Sequence, residues 1–200
     1  MSLTLLGWRR AVARLYADVR TEADPATGWR EWRTGRDHLF GTHPDSPIPA
    51  GQPRRALPYA DYDPALRFTP SLDTDVEPER LEVPTAGDGI VPFTRIGRVA
   101  LGDLGTLDVW WLESYGGGIF VPLHDGSAGT TTYGGGRYLL DTVKGADLGG
   151  GEGELVIDFN FAYHPSCAYD PRWTCPLAPD GNRLATTVTA GEQLPPGGWY

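Results

Sequence analysis

Two cysteines and a single methionine occur in 200 residues, and no apolar run approaches the roughly 20 residues that span a bilayer as a helix. The scarcity of cysteine excludes a disulfide-stapled scaffold, and a chain of this length buries enough surface to fold without one. Basic clusters are also missing. Lys and Arg together number 17 against 26 acidic residues, for a net charge of −9. That balance lacks the electrostatic footprint of a protein that grips phosphate backbones or anionic membranes, so neither partner is expected. The segment Met1 to Arg20 scatters Arg9, Arg10, Arg14 and Arg20 among its apolar residues, which argues against a secretory signal. The expected compartment is the cytoplasm, where both thiols stay reduced. No G-x-S-x-G elbow, Walker loop or dinucleotide fingerprint occurs, so no activity and no cofactor is assigned from motifs.

Aromatics, glycine and proline are plentiful. Seven Trp, nine Tyr and six Phe offer large units for a core or a cleft, beside 27 Gly and 18 Pro. Leu5, Trp8, Val12, Leu15 and Val19 recur at steps of three and four, predicting an amphipathic helix with Ser2 or Thr4 as its N-cap. Asp24-Pro25 reads as the cap and first turn of a second helix, whose Trp29, Trp32, Leu39 and Phe40 keep helical spacing and face the body. Residues 1–41 thus form a helical N-terminal element. Five prolines between Thr42 and Pro58 forbid a regular helix or a central strand, and residues 42–65 read as an ordered connector in which His43 is solvated.

Residues 66–200 read as a β body, all within a single domain spanning 1–200. Short strands are predicted at 67–69, 80–83, 91–101, 106–114, 119–124, 130–140, 154–162 and 183–190, with Asp88-Gly89, Gly102-Asp103 and Asp125-Gly126 as turns. Strands without interleaved helices predict a mainly β, α+β fold, an antiparallel barrel or sandwich preceded by two helices. The runs Tyr115-Gly-Gly-Gly and Tyr133-Gly-Gly-Gly would face each other in one hairpin if the turn fell near Gly126-Ser127. Close packing of Trp110 or Trp111 on the glycines is preferred over a ligand platform.

Six stretches carry a resemblance: WRRAVARLYADVR, GRDHLF, RIGRVALGDLGTLDVWWL, TYGGGRYLLD, LVIDFNFAYHPSCAYDPRWTCPLAPDGNRL and TAGEQL. They resemble the uncharacterised bacterial and archaeal family known as domain of unknown function 1684. The resemblance covers nearly the whole chain and implies a single domain with no established activity. His164 departs from the family, which usually places Asn before that proline, and this weighs against His164 as an essential group.

Alternation along 155–162 places Asp158 and Asn160 side by side on the less apolar face of a strand. A buried carboxylate there needs a cation, and Arg137 is the expected partner for a fork-shaped ion pair. With Tyr133, Tyr138 and Trp111 these residues make an aromatic pocket with few polar anchors, the usual form of a small-molecule site. A small-molecule ligand is therefore the expected partner. A purely structural polar network is the competing reading. A second functional reading makes Asp158 the general base of a hydrolase or isomerase, and a third is a protein-interaction domain docking through its helices. Cys167 and Cys175 admit three fates: buried reduced thiols, a disulfide, or a metal site completed by His164 and a distant ligand such as His124. The seven-residue spacing matches metal sites poorly, so no metal is expected. Asp125-Gly126-Ser127 reads as a turn rather than as part of a nucleophile constellation with His124. Arg183, at the start of the last predicted strand, reads as solvated.

Overall fold

The computed structural model describes residues 3–52, 56–85 and 89–198. Ser2 and Asp88, invoked above as a cap and a turn residue, lie outside them. Two helices, α1 (Leu3–Thr21) and α2 (Pro25–Thr42), lead the chain. Thr4 falls inside α1. Asp24 caps α2, accepting from the backbone N–H groups of Ala26 at 3.3 Å and Thr27 at 3.1 Å, and Pro25 occupies the first turn where no N–H is needed. The helices cross closely: a Cβ at Gly35 would lie 2.3 Å from Leu15 Cδ2.

An antiparallel five-stranded half-barrel follows, in the order β2 (Arg80–Thr85), β3 (Gly89–Ala100), β4 (Thr106–Leu112), β5 (Ile119–Leu123) and β6 (Arg137–Asp141). Two short strands, β1 (Arg67–Phe68) and β7 (Ile157–Asp158), pair separately, with Arg67 opposite Asp158. The long β3 bends at a register shift between Arg95 and Gly97. Only glycine fits there, because a Cβ would come within 2.6 Å of the Asp73 carbonyl oxygen.

The half-barrel buries both faces. One receives Tyr16, Trp29 and Trp32 from the helices against Val99, Leu107, Val109, Leu123, Leu139, Phe159 and Phe161. The other face carries Phe93, Trp110, Phe120 and Tyr138, with Tyr163 and Cys175 packed against them. Each fully buried side chain of this size contributes about 1.5–3 kcal/mol. Trp29 and Trp32 serve the core, as their spacing predicts. No helix of the described residues is long and apolar enough to cross a membrane.

Three predicted strands differ. Residues 130–136 form turns that lead into β6, 183–190 form no strand, and in 154–162 only Ile157–Asp158 is a strand before a 3₁₀ turn at Phe159–Phe161. The glycine runs do not face one another. Gly116–Gly118 make the β4–β5 turn with positive φ, and Gly136 precedes β6 beside Leu123, at the far end of the β5–β6 pair. A Cβ at Gly117 would meet the Trp111 ring at 2.5 Å, so this run serves the packing expected of it.

Candidate functional site

The second of these faces holds an aromatic row. Phe93 and Phe120 have ring centroids 5.2 Å apart, Phe120 and Tyr138 4.8 Å, and Tyr138 and Tyr163 5.8 Å. Antiparallel pairing of β3, β4, β5 and β6 brings the first three into line, and the Tyr163 backbone pairs with that of Tyr138. The loop 172–176 forms a facing wall, tied to the sheet where the Tyr138 hydroxyl donates to the Pro176 carbonyl at 2.6 Å.

Between row and loop lies a chamber of about 630 Å³. Phe93, Leu112 and Phe120 line it, and Ile90, Tyr115, Val143 and Trp173 stand exposed among its walls. Arg9, Lys144 and Arg172 also border it, against one carboxylate among the described residues, Asp141. Lys144 pairs with Asp141 at 3.3 Å, and Arg172 pairs with Asp170 at 2.9 Å and sits over the Trp173 ring. Arg9 donates to the Val143 carbonyl and has no ion pair among the described residues.

Asp141 and Lys144 belong also to the wall of an inner pocket of about 100 Å³. Trp8, Val12 and Tyr16 of α1 and Arg36 and Phe40 of α2 close one side. Tyr138, Tyr163, His164, Tyr169 and Cys175 close the other. Burial raises the phenols of Tyr16, Tyr138, Tyr163 and Tyr169, so they remain neutral hydroxyls.

Behind the inner pocket, Arg36 and Glu192 form a buried ion pair at 3.0 Å. Arg36 Nε donates to the Tyr59 hydroxyl at 2.9 Å and Nη2 to that of Tyr169 at 3.1 Å. The Tyr169 hydroxyl and the His164 backbone N–H, the latter at 3.0 Å, donate to the Glu192 carboxylate. His164 Nε2 accepts the Tyr133 N–H at 3.1 Å, which places the ring proton on Nδ1, 3.6 Å from Glu192 Oε1. Burial opposes the Glu192 charge, but Arg36, His164 and Tyr169 outweigh it and hold the carboxyl at about 2. For Arg36 too, burial opposes the charge and is outweighed by Tyr59, Tyr169 and Glu192, so its guanidinium lies well above the ordinary range.

The predicted Arg137–Asp158 fork is not formed. Arg137 lies fully buried against Asp125 at 3.2 Å and donates to the carbonyls of Val188, Ala190 and Glu192. Asp158 and Asn160 do come together. Asp158 Oδ1 accepts from the Asn160 side chain at 2.8 Å and its backbone N–H at 2.9 Å, and Oδ2 lies 3.7 Å from Arg67 Nε. Asn160 also exchanges two bonds with the Asp63 backbone. The alternation argument fails here because the strand ends at Asp158 and both faces of 156–162 are buried.

Tyr138 lines the inner pocket, apart from Arg137, Asp158 and Asn160, which are not among its lining residues. Tyr133 packs beside the His164 ring, and Trp111 turns away from the aromatic row toward the glycine turn. Ser127 donates to Asp125 and contacts Thr132, all three buried within the 125–132 turn region. Cys167 and Cys175 are adjacent without a disulfide. With both His164 nitrogens directed elsewhere, that ring does not complete a metal site with them; among the described residues no group of three or more His, Cys, Asp or Glu is placed to hold a metal ion.

Sequence reasoning missed Arg36 and Glu192 as partners, although each lies in a short stretch that carried the family resemblance, GRDHLF and TAGEQL. Those stretches meet in this ion pair. It also missed Arg9, Lys144 and Arg172, which no local pattern distinguishes from solvated cations.

Comparison with solved structures finds an uncharacterized protein of Haloarcula marismortui, determined in solution by NMR, with 34% identity and a TM-score of 0.58 over 84% of this chain and 92% of that one. Comparison with curated proteins gives no match. The family described as "Protein of unknown function (DUF1684)" matches residues 55–193. The chain therefore belongs to the DUF1684 family.

Proposed function

We propose that this protein binds an amphipathic small molecule, with its apolar body against the Phe93–Phe120 wall and an anionic end toward Arg9, Lys144 and Arg172. One observation carries the reading: in a chain of net charge −9, an aromatic-walled chamber of about 630 Å³ is bordered, among the described residues, by three cations and one carboxylate. Its volume is that of ordinary ligand pockets, roughly 300–1,000 Å³. The exposed apolar side chains at its walls are a feature that soluble surfaces normally reserve for contacts.

The test titrates the protein with 1-anilinonaphthalene-8-sulfonate and medium-chain fatty acids, beside native mass spectrometry of protein taken directly from cells. Saturable one-to-one binding is expected. Ile90→Asp and Trp173→Ala each weaken it about tenfold, equivalent to about 1.4 kcal/mol of lost apolar contact. Ile90 is 64% exposed, so its replacement leaves the fold intact. Non-saturable binding, or affinity indifferent to both substitutions, defeats the reading.

A second reading keeps Asp158 as a general base. Its carboxyl borders a separate cleft of about 410 Å³ with Arg20 and Arg67. Burial raises it above the ordinary carboxylate range, outweighing the Asn160 hydrogen bonds and the Arg67 charge. A raised folded value means that the stability tied to this group is present below pH 3.8 and lost as pH rises through the folded value. Removing the charge is thus not costly in itself at neutral pH. Asp158→Asn is expected to keep Tm within about 3 °C while abolishing turnover in a panel of hydrolase and isomerase substrates. Loss of folding in the variant would instead assign Asp158 to the scaffold.

A further inference from the structure

At the wall of the inner pocket lies a pair of groups that ligand binding does not employ. Cys167 sits in the turn Ser166–Ala168 and is buried; Cys175 is half-buried and contributes to the pocket wall. Cys175 Sγ accepts the Cys167 backbone N–H at 3.3 Å, and the two thiols lie within hydrogen-bonding reach of each other. The Cys167 hydrogen bond, aided by that amide and the Lys144 charge, outweighs burial and lowers the Cys175 thiol below the ordinary cysteine range. Cys167, as donor to its neighbour, is pushed up. The two sulfurs therefore differ in position: Cys175 faces a cavity with an amide N–H aimed at its sulfur, and Cys167 is buried behind it.

We propose that Cys175 and Cys167 form a peroxide-reactive dithiol, with Cys175 as the attacking sulfur and Cys167 as the resolving one. A cavity of about 100 Å³ beside Cys175 has room for a molecule as small as hydrogen peroxide. The Cys175 thiolate attacks one peroxide oxygen, the O–O bond breaks, and hydroxide departs, leaving a sulfenic acid on Cys175. Cys167 then attacks that sulfur. The S–S bond forms, the S–O bond breaks, a second hydroxide departs, and the Cys167 proton together with one from solvent completes two waters. Two thiols are oxidised to one disulfide as one peroxide is reduced. A low-molecular-weight dithiol restores the starting state by thiol–disulfide exchange.

The experiment exposes the full chain to stoichiometric hydrogen peroxide at pH 7, quenches with iodoacetamide, and reads intact mass and tryptic peptides. The expected product is unalkylated and lighter by two hydrogens, with the 167 and 175 peptides cross-linked, formed about tenfold faster than oxidation of free glutathione. Cys167→Ser should stop at a dimedone-trapped adduct on Cys175, and Cys175→Ser should leave Cys167 unoxidised. Full alkylation of both residues after peroxide, or trapping on Cys167 first, overturns the proposal. Should a variant fail to fold, the wild-type order of alkylation decides: Cys175 must label before Cys167. Ligand titrations of the outer chamber have a separate readout, so either idea can fail alone.

Discussion

Glu192→Gln is expected to lower stability by about 3–5 kcal/mol, the cost of leaving a buried cation without its counter-charge. Arg36, Tyr169, Tyr59 and the His164 backbone all face this carboxylate with donors. An amide of the same shape supplies one acceptor and must aim two N–H groups at the rest. The tyrosines can rotate their hydroxyls to accept, but the guanidinium and the backbone N–H cannot. For a chain of 200 residues the loss corresponds to a fall in Tm of roughly 10 °C. Differential scanning calorimetry at pH 7 measures it, and a shift under about 2 °C would show that the charge is dispensable.

The same carboxylate gives the wild-type protein a distinctive acid limb. Its folded value of about 2 lies below the ordinary 4.5, so the stability it contributes is present above pH 4.5 and lost as pH falls toward about 2. The difference amounts to about 3 kcal/mol. Denaturant melts between pH 2 and 6 should therefore steepen in the wild type over that window, and Glu192→Gln should flatten the profile.

Legibility in the sequence follows how each segment satisfies its backbone. The helices were readable because their apolar spacing and the Asp24-Pro25 cap are local signals, and the strands through β5 because ladders pair neighbours. Beyond β6 the segments are held by scattered bonds between distant backbones and by side chains that bond backbone far away in sequence. Asn182 Nδ2 donates to the carbonyls of Asp108 and Pro122 while its oxygen accepts from Trp110 Nε1 at 2.7 Å. Asp125 accepts the Val188 N–H at 2.6 Å. Such bonds leave no periodicity, and a strand pattern read into 183–190 had nothing to correct it. Alternation asked for a cation beside a buried Asp158 and named Arg137; the structure gives Asp158 Arg67 instead and pairs Arg137 with Asp125, which reads in the sequence as a turn residue. The chamber escaped notice for another reason: Arg9, Lys144 and Arg172 converge only once the helix, β6 and the 172–176 loop are placed together.

Arg137 supplies the other large expected effect. The chain from Val188 to Glu192 has no strand of its own, and this single side chain ties three of its carbonyls to β6. Its charge is held by Asp125, whose second oxygen accepts the Val188 N–H, so the two residues staple one segment from both ends of its hydrogen-bonding repertoire. Arg137→Met is expected to cost about 3–5 kcal/mol, because it strands a buried carboxylate and orphans carbonyls together. Arg137→Lys should recover only part of this, since an ammonium cannot span a carboxylate and several carbonyls with the reach of a planar fork. Asp125→Asn should lose a similar amount to the Met substitution, leaving the guanidinium uncompensated. The Asp125→Asn, Arg137→Met double variant should lose well under the sum of the two, with a coupling of at least about 1 kcal/mol by urea denaturation. The staple also predicts a longer-range coupling. Ala190 is two residues before Glu192, so freeing the segment withdraws that carboxylate from Arg36, and Arg137→Met combined with Glu192→Gln should likewise fall short of additivity. Additive losses in that pair would mean that the two buried charge networks hold the C-terminal segment independently, contrary to the arrangement of their partners along it.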